Sequence, residues 1–183
     1  QYVVNVNTPF PWNQIGYVGL RGWMGNLFYV SYFAVSPSHY GGVEAFVNSG
    51  QLSGWKTLPY FENGELVINT TGSSTYGLFL AWEYIPISNT INVTIHVTSY
   101  PESSPHASIA VFPSMQALNS GQPFIMIDFV GGDIDYLGGN VGVHTLATIP
   151  QPNTAYPFTF TVILTENSAG NVTVHSIYIN STQ

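Results

Sequence analysis

The chain has 183 residues, of which 45% are hydrophobic and 15% aromatic but only 6% charged, and it has no cysteine. That length and apolar content suffice for the core of one domain and exclude disorder. A formal net charge of -7, with Arg21 and Lys56 the only strong bases, excludes a phosphate-binding footprint for nucleic acid and disfavours anionic membranes.

The N-terminal run Gln1 to Val6 alternates with period 2, Tyr2, Val4 and Val6 against Val3 and Asn5, as a strand with one buried face does. Thr8-Pro9-Phe10-Pro11-Trp12-Asn13 follows, and Pro9 and Pro11 mark it as a linker that stays out of a ladder. Residues 1–14 are therefore expected to form a strand and linker apart from a head domain at 15–183. Position 1 has neither Met nor an apolar signal region, which reads as a secreted chain already processed. No apolar run approaches the ~20 residues that cross a bilayer, so the mature chain is not expected to insert in one.

Strand-like runs follow near 15–20, 26–36, 43–48, 65–70, 75–85, 90–100, 107–112, 123–130, 140–149, 156–166 and 171–180, separated by Gly, Pro, Asn and Ser. With no long helical pattern, the expected fold is all-β: a single β-sandwich or jelly-roll domain with an N-terminal donor strand. Ile91, Val93, Ile95 and Val97 share one face, and Phe158, Phe160, Val162 and Leu164 another. In the last run the phase moves from Val172 and Val174 to Ile177 and Ile179, which predicts a bulge at His175-Ser176. Residues 166–171 carry hairpin turn chemistry, and Ser114 is placed to cap a short helix ending before Gly121.

Catalytic chemistry is sparse. Glu83 and Asp128 lie inside apolar strands, where two acids facing one groove suit a glycosidase, but at strand ends or on solvent faces they are ordinary polar positions. Asp133 and Asp135, with Asn140 beyond them, lie in a Gly-rich segment read as a loop. Such a loop is a weak candidate for Ca2+: EF-hand spacing is absent, and Asp-Gly clusters also make turns. His39, His96, His106, His144 and His175 show no zinc spacing. Trp12, Trp23, Trp55 and Trp82 are candidates for a sugar-stacking platform or for core. No catalytic residue, metal or cofactor is assigned, and the chain is read as a non-enzyme.

Asn-x-Ser/Thr sequons occur at Asn69, Asn92, Asn171 and Asn180, and covalent N-glycans are expected on them. The scarcity of charge suits an acidic medium, in which two strong bases and five histidines leave roughly +7 once carboxylates are protonated. A glycan-coated neutral surface is the competing reading.

Together, Gln1 to Val6 as donor, Thr8 to Asn13 as linker and the four sequons make the chain resemble the subunits of archaeal thread filaments. The likeness is one of length and character over the whole chain. It implies an extracellular, cell-surface fibre with adhesive or biofilm roles. Each copy inserts Tyr2, Val3, Val4 and Val6 into the next, giving a head-to-tail homopolymer that can meet surface glycans. The rival resemblance is to concanavalin-like jelly rolls, in binding modules or glycosidases, through residues 54–72, 77–84 and 107–114. That reading makes Trp82, Glu83 and Asp128 the ligand candidates.

Overall fold

The computed structural model describes residues 2–23, 25–37, 51–53, 59–71, 78–103, 106–130, 132–149 and 157–181. It is an all-β sandwich of two seven-stranded antiparallel sheets. In chain order the strands are β1 (Tyr2–Pro11), β2 (Tyr17–Gly22), β3 (Asn26–Ser36), β4 (Gln51–Ser53), β5 (Tyr60–Glu62), β6 (Glu65–Asn69), β7 (Leu78–Glu83), β8 (Thr90–Ser103), β9 (Ala107–Phe112), β10 (Phe124–Val130), β11 (Asp133–Gly138), β12 (Gly142–Thr148), β13 (Phe158–Glu166) and β14 (Asn171–Ser181). The first sheet runs β1-β14-β13-β8-β3-β6-β5, and the second β12-β11-β10-β9-β2-β7-β4.

The long strands follow their side-chain period. On β8 and β13 the odd row Ile91 to Val97 and the even row Phe158 to Leu164 are fully buried, and both meet Phe28, Phe33, Ile109, Ile125, Ile127 and Phe129 between the sheets. Outward positions pair with each other instead: Thr94 Oγ1 lies 3.1 Å from Thr161 Oγ1, and His96 Nδ1 2.7 Å from Thr159 Oγ1. In β13 and β14, Ile163 faces Ser176 but Leu164 faces Val174, so His175 is the extra residue of the expected bulge. The 166–171 turn closes through Gly170 N–H to Asn167 O. The expected short helix is α1 (Met115–Asn119), whose Ala117 N–H donates to the Ser114 hydroxyl.

The second sheet is covered on both faces, which explains why β9 and β10 are apolar without alternation. One face joins the inter-sheet core. The other carries a second cluster, Ala81, Ala110, Phe112, Phe124, Met126 and Leu137, against Tyr17, Met115 and Leu118, where α1 packs. Gly19 permits the close β2–β7 approach: a Cβ there would lie 2.2 Å from Leu80 O.

Two expectations are corrected. The segment Asp133 to Gly138 is a strand, not a loop, because Ile134 and Tyr136 point into the core while Asp133, Asp135 and Leu137 point the other way with period 2. Pro9 and Pro11 do not form a linker outside the ladder. β1 runs through both and pairs antiparallel with β14, Val6 opposite Val174, Asn7 opposite Thr173 and Pro11 opposite Asn171. The even row simply continues past Val6, with Thr8 and Phe10 buried and Trp12 buried in the 3-10 turn that follows, while Pro9 is exposed on the odd row. A proline is tolerated there because, among the described residues, β1 is the edge of its sheet and an outward N–H has no ladder partner to lose. The run at 43–48, His39, Trp55 and Lys56 lie outside the described residues.

Candidate functional site

Two features stand out: the edge strand β1, and a polar row buried on the outward face of the second sheet.

Among the described residues β1 has one ladder, to β14. Its grip combines apolar and polar contacts. Phe10 is buried in the main core and Val6 packs on it, the Thr8 hydroxyl donates to Val172 O at 2.7 Å, and the Thr173 hydroxyl donates to Asn7 Oδ1 at 2.7 Å. The register shifts between Val3 and Val6, where Asn5 adopts φ 50°, a left-handed conformation that Asn tolerates better than most residues. The backbone of Tyr2 and Val3 pairs with Ile177 and Ser176. After Pro11, one 3-10 turn, Trp12–Gln14, leads to β2 in the other sheet.

The polar row crosses the second sheet. Arg21 on β2 stands opposite Ser108 on β9, which stands opposite Asp128 on β10; Asp133 and Asp135 on β11 share that face. His106, just before β9, joins them. It holds φ 74°, and its N–H bonds Val130 O beside the register shift in β9–β10, which places its ring two positions from Ser108 on the same side. The Ser108 hydroxyl donates to Asp128 Oδ1 at 2.5 Å, and His106 Nδ1 lies 2.9 Å from Asp128 Oδ2. Thr148 Oγ1 donates to Asp133 Oδ1 at 3.4 Å, and Thr145 bonds the Asp135 carboxyl. Asp135 is 2% exposed, yet its Oδ1 has no hydrogen-bond partner among the described residues. One ligand atom from each of His106, Asp128, Asp133 and Asp135 lies within 4.8 Å of all the others.

Electrostatics follow from burial. Desolvation pushes the Asp128 carboxyl up to about 6, against the opposing hydrogen bonds from Ser108 and His106. Desolvation also raises Asp135, with Thr145, His106 and Arg21 pulling it back. Burial lowers Arg21 to about 10 although Asp128 and Asp135 attract its charge. Arg21 makes no ion pair with either among the described residues: its Nη1 meets Met126 Sδ at 2.7 Å, and Cζ sits 4.5 Å from the Trp23 ring centroid.

Sequence reasoning found Asp128, Asp133 and Asp135 separately but neither joined them nor added His106, Ser108 and Arg21. Asn140 is not part of the group: it bonds Ser120 O in the turn before β12. The sugar-binding set is not brought together. Trp82 is buried between the sheets against Phe33. Glu83 is exposed in the row of Tyr17 and Phe112, four residues along β2 from the row of Asp128, or roughly 13 Å. That exceeds the carboxylate spacing of a glycosidase pair. Trp12 is core, and Trp23 covers Arg21.

The sequons all fall on the first sheet, at Asn69 on β6, Asn92 on β8, and Asn171 and Asn180 on β14. Each stands next to a residue of the main core or packed against it, Ile68, Ile91, Val172 and Ile179 in turn, and so lies on the outward row. Asn92 and Asn180 are exposed, whereas Asn69 and Asn171 are half-buried.

Fold and site thus define an all-β sandwich with a buried acidic and histidine cluster. No known family profile matches the chain, and no solved structure matches it. Over 195 aligned positions covering 99% of its length, the chain is 51% identical to the protein of Acidianus two-tailed virus named "Putative transmembrane protein ORF1334". It spans 14% of that relative's length. Among the described residues no helix is long and apolar enough to cross a membrane.

Proposed function

We propose that the chain is a non-enzymatic structural module of an extracellular surface assembly, and that copies are joined by exchange of β1, each passing its first strand to a neighbour's β14. The observation that carries this reading is the position of β1 as an edge strand that, among the described residues, has a single ladder and a single-turn connection to the rest. Withdrawing it breaks no other pairing among the described residues, and the same row of Val6, Thr8 and Phe10 can fill the same slot in another copy.

Pro9 and Pro11 support exchange over simple addition. They deprive the outer edge of β1 of N–H donors, so a further strand gains little by pairing there. Exchange repeated head to tail does not close and yields a fibre of the thread-filament type. Glycans on the outward row of the first sheet would coat that fibre on one side and can contribute to adhesion. The viral relative, being named a transmembrane protein and far longer than this chain, supports a module held outside a membrane as part of a larger surface protein.

Removing residues 1–11 tests the proposal. The truncated chain should melt well below the intact one, and a synthetic peptide of residues 1–11 should restore the higher melting temperature. Negative-stain microscopy of the intact chain should show fibres. A truncated chain that melts like the intact one, or an intact chain that stays monomeric at every concentration, overturns it.

A further inference from the structure

We propose that His106, Asp128, Asp133 and Asp135 bind one divalent first-row transition-metal ion, of the Mn2+ and Zn2+ class, which ties the start of β9 to β10 and β11.

Geometry comes first. Two ligands of one ion, each roughly 2.1 Å from it, stand roughly 3 Å apart at neighbouring corners and roughly 4.2 Å apart across it. The His106 Nδ1 to Asp128 Oδ2 separation of 2.9 Å fits neighbouring corners, and the 4.8 Å limit on the whole set leaves only small side-chain adjustments. The independent sign of a ligand is Asp135: a carboxylate 2% exposed whose Oδ1 lacks any partner among the described residues, and whose carboxylate belongs to that set. A buried carboxylate oxygen left unpaired is costly, and a cation is the partner that satisfies it most fully.

Charge agrees. Three carboxylates against Arg21 leave two negative charges, which one divalent ion neutralises. Arg21 does not compete for the oxygens, since it makes no ion pair with them and its guanidinium is turned to Met126 and Trp23. Surrounding bonds hold three of the ligands in place, Asp128 through Ser108, Asp133 through Thr148 and Asp135 through Thr145. The His106 side chain is 33% exposed and gives the ion a way in. One imidazole with three carboxylates is a mixed nitrogen and oxygen set, which favours Mn2+ or Zn2+ over Ca2+. When the ion binds, His106 gives up its hydrogen bond to Asp128, carries its proton on Nε2 and offers the Nδ1 lone pair.

The test is calorimetric titration of the 183-residue chain, stripped with EDTA and freed of chelator, with Mn2+, Zn2+ and Ca2+. Asp133→Asn, Asp135→Asn, His106→Ala and, as an exposed control, Glu62→Gln are titrated beside it. The expected result is one Mn2+ or Zn2+ per chain, at least tenfold weaker binding in each ligand variant, and wild-type binding in Glu62→Gln. At about a hundredfold excess over Kd, the ion should raise the melting temperature by about 5 to 10 °C. Asp135→Asn removes an unpaired buried charge, so in EDTA it should melt no lower than wild type. Weak binding by that variant is then loss of a ligand and not loss of fold. No saturable Mn2+ or Zn2+ binding, binding indifferent to the ligand variants, or tighter Ca2+ binding that survives His106→Ala each overturns the assignment.

Discussion

Phe10 is the side chain that most clearly decides whether β1 is a separable unit. It is 1% exposed, lies in the inter-sheet core, and belongs to a strand whose only ladder among the described residues is with β14. Phe10→Ala should cost about 3 to 5 kcal/mol, the transfer free energy of the ring together with the cavity it leaves. If β1 docks as a unit, that loss falls on docking and not on the sandwich as a whole. The opening of β1 from β14 then becomes roughly a hundred to a few thousand times more populated, because each 1.4 kcal/mol is tenfold. Native-state hydrogen exchange resolves this. Amides of β14 that face β1 should exchange faster by that factor, and already in the wild type through an opening of lower free energy than the one that frees the β8–β13 ladder. One common opening free energy for both sets of amides in the wild type means that β1 is fused to the core and refutes the idea of an exchangeable strand.

Gly19→Ala should lower stability by about 3 kcal/mol or more in urea melts, since its Cβ would fall 2.4 Å from Ala81 Cα, and unchanged stability contradicts the tight β2–β7 packing. In EDTA, Asp128 makes the chain more stable in acid. With its carboxyl raised from 3.8 to about 6, its contribution is complete below 3.8 and lost as pH rises through about 6, roughly two units or about 3 kcal/mol. Arg21, His106, Asp133 and Asp135 face it, and all remain in Asp128→Asn. The difference in unfolding free energy between wild type and that variant should shift by about this amount between pH 4 and pH 7, and a constant difference contradicts the buried carboxyl. Intact mass of native material should exceed the sequence mass by glycans that Asn92→Gln and Asn180→Gln, the two exposed sequons, remove in part; identical masses contradict glycosylation there.

Much of the sandwich is legible because its long strands are half-solvated. Ile91 to Val97 and Phe158 to Leu164 announce their faces, and the phase change after Val174 announces the bulge at His175. The second sheet is harder to read, since a strand buried on both faces, such as Ala107 to Phe112, shows no alternation. Asp133 and Asp135 read as a loop because glycines flank them and acids favour turns. Only pairing with β10 shows them to be one face of a strand. The polar cluster was illegible for a related reason: Arg21, His106, Asp128 and Asp135 are spread over more than a hundred positions, and register alone brings them into one row. At the N-terminus the signal was present and outweighed. Thr8, Phe10 and Trp12 continue the even row of Tyr2, Val4 and Val6, but the prolines between them read as a break when they are outward residues of an edge strand.

Asn7 and Thr173 stand directly opposite each other in the β1–β14 ladder, and their side chains are hydrogen-bonded. Paired antiparallel positions lie within the range that a disulfide can bridge. Because the chain has no cysteine of its own, Asn7→Cys with Thr173→Cys gives one possible bridge. Oxidised after assembly and run under denaturing, non-reducing conditions, the double variant should give a ladder of covalent multimers if each β1 lies in a neighbour. A single band at monomer mass, with both thiols consumed, means that β1 stays in its own sheet and contradicts strand exchange.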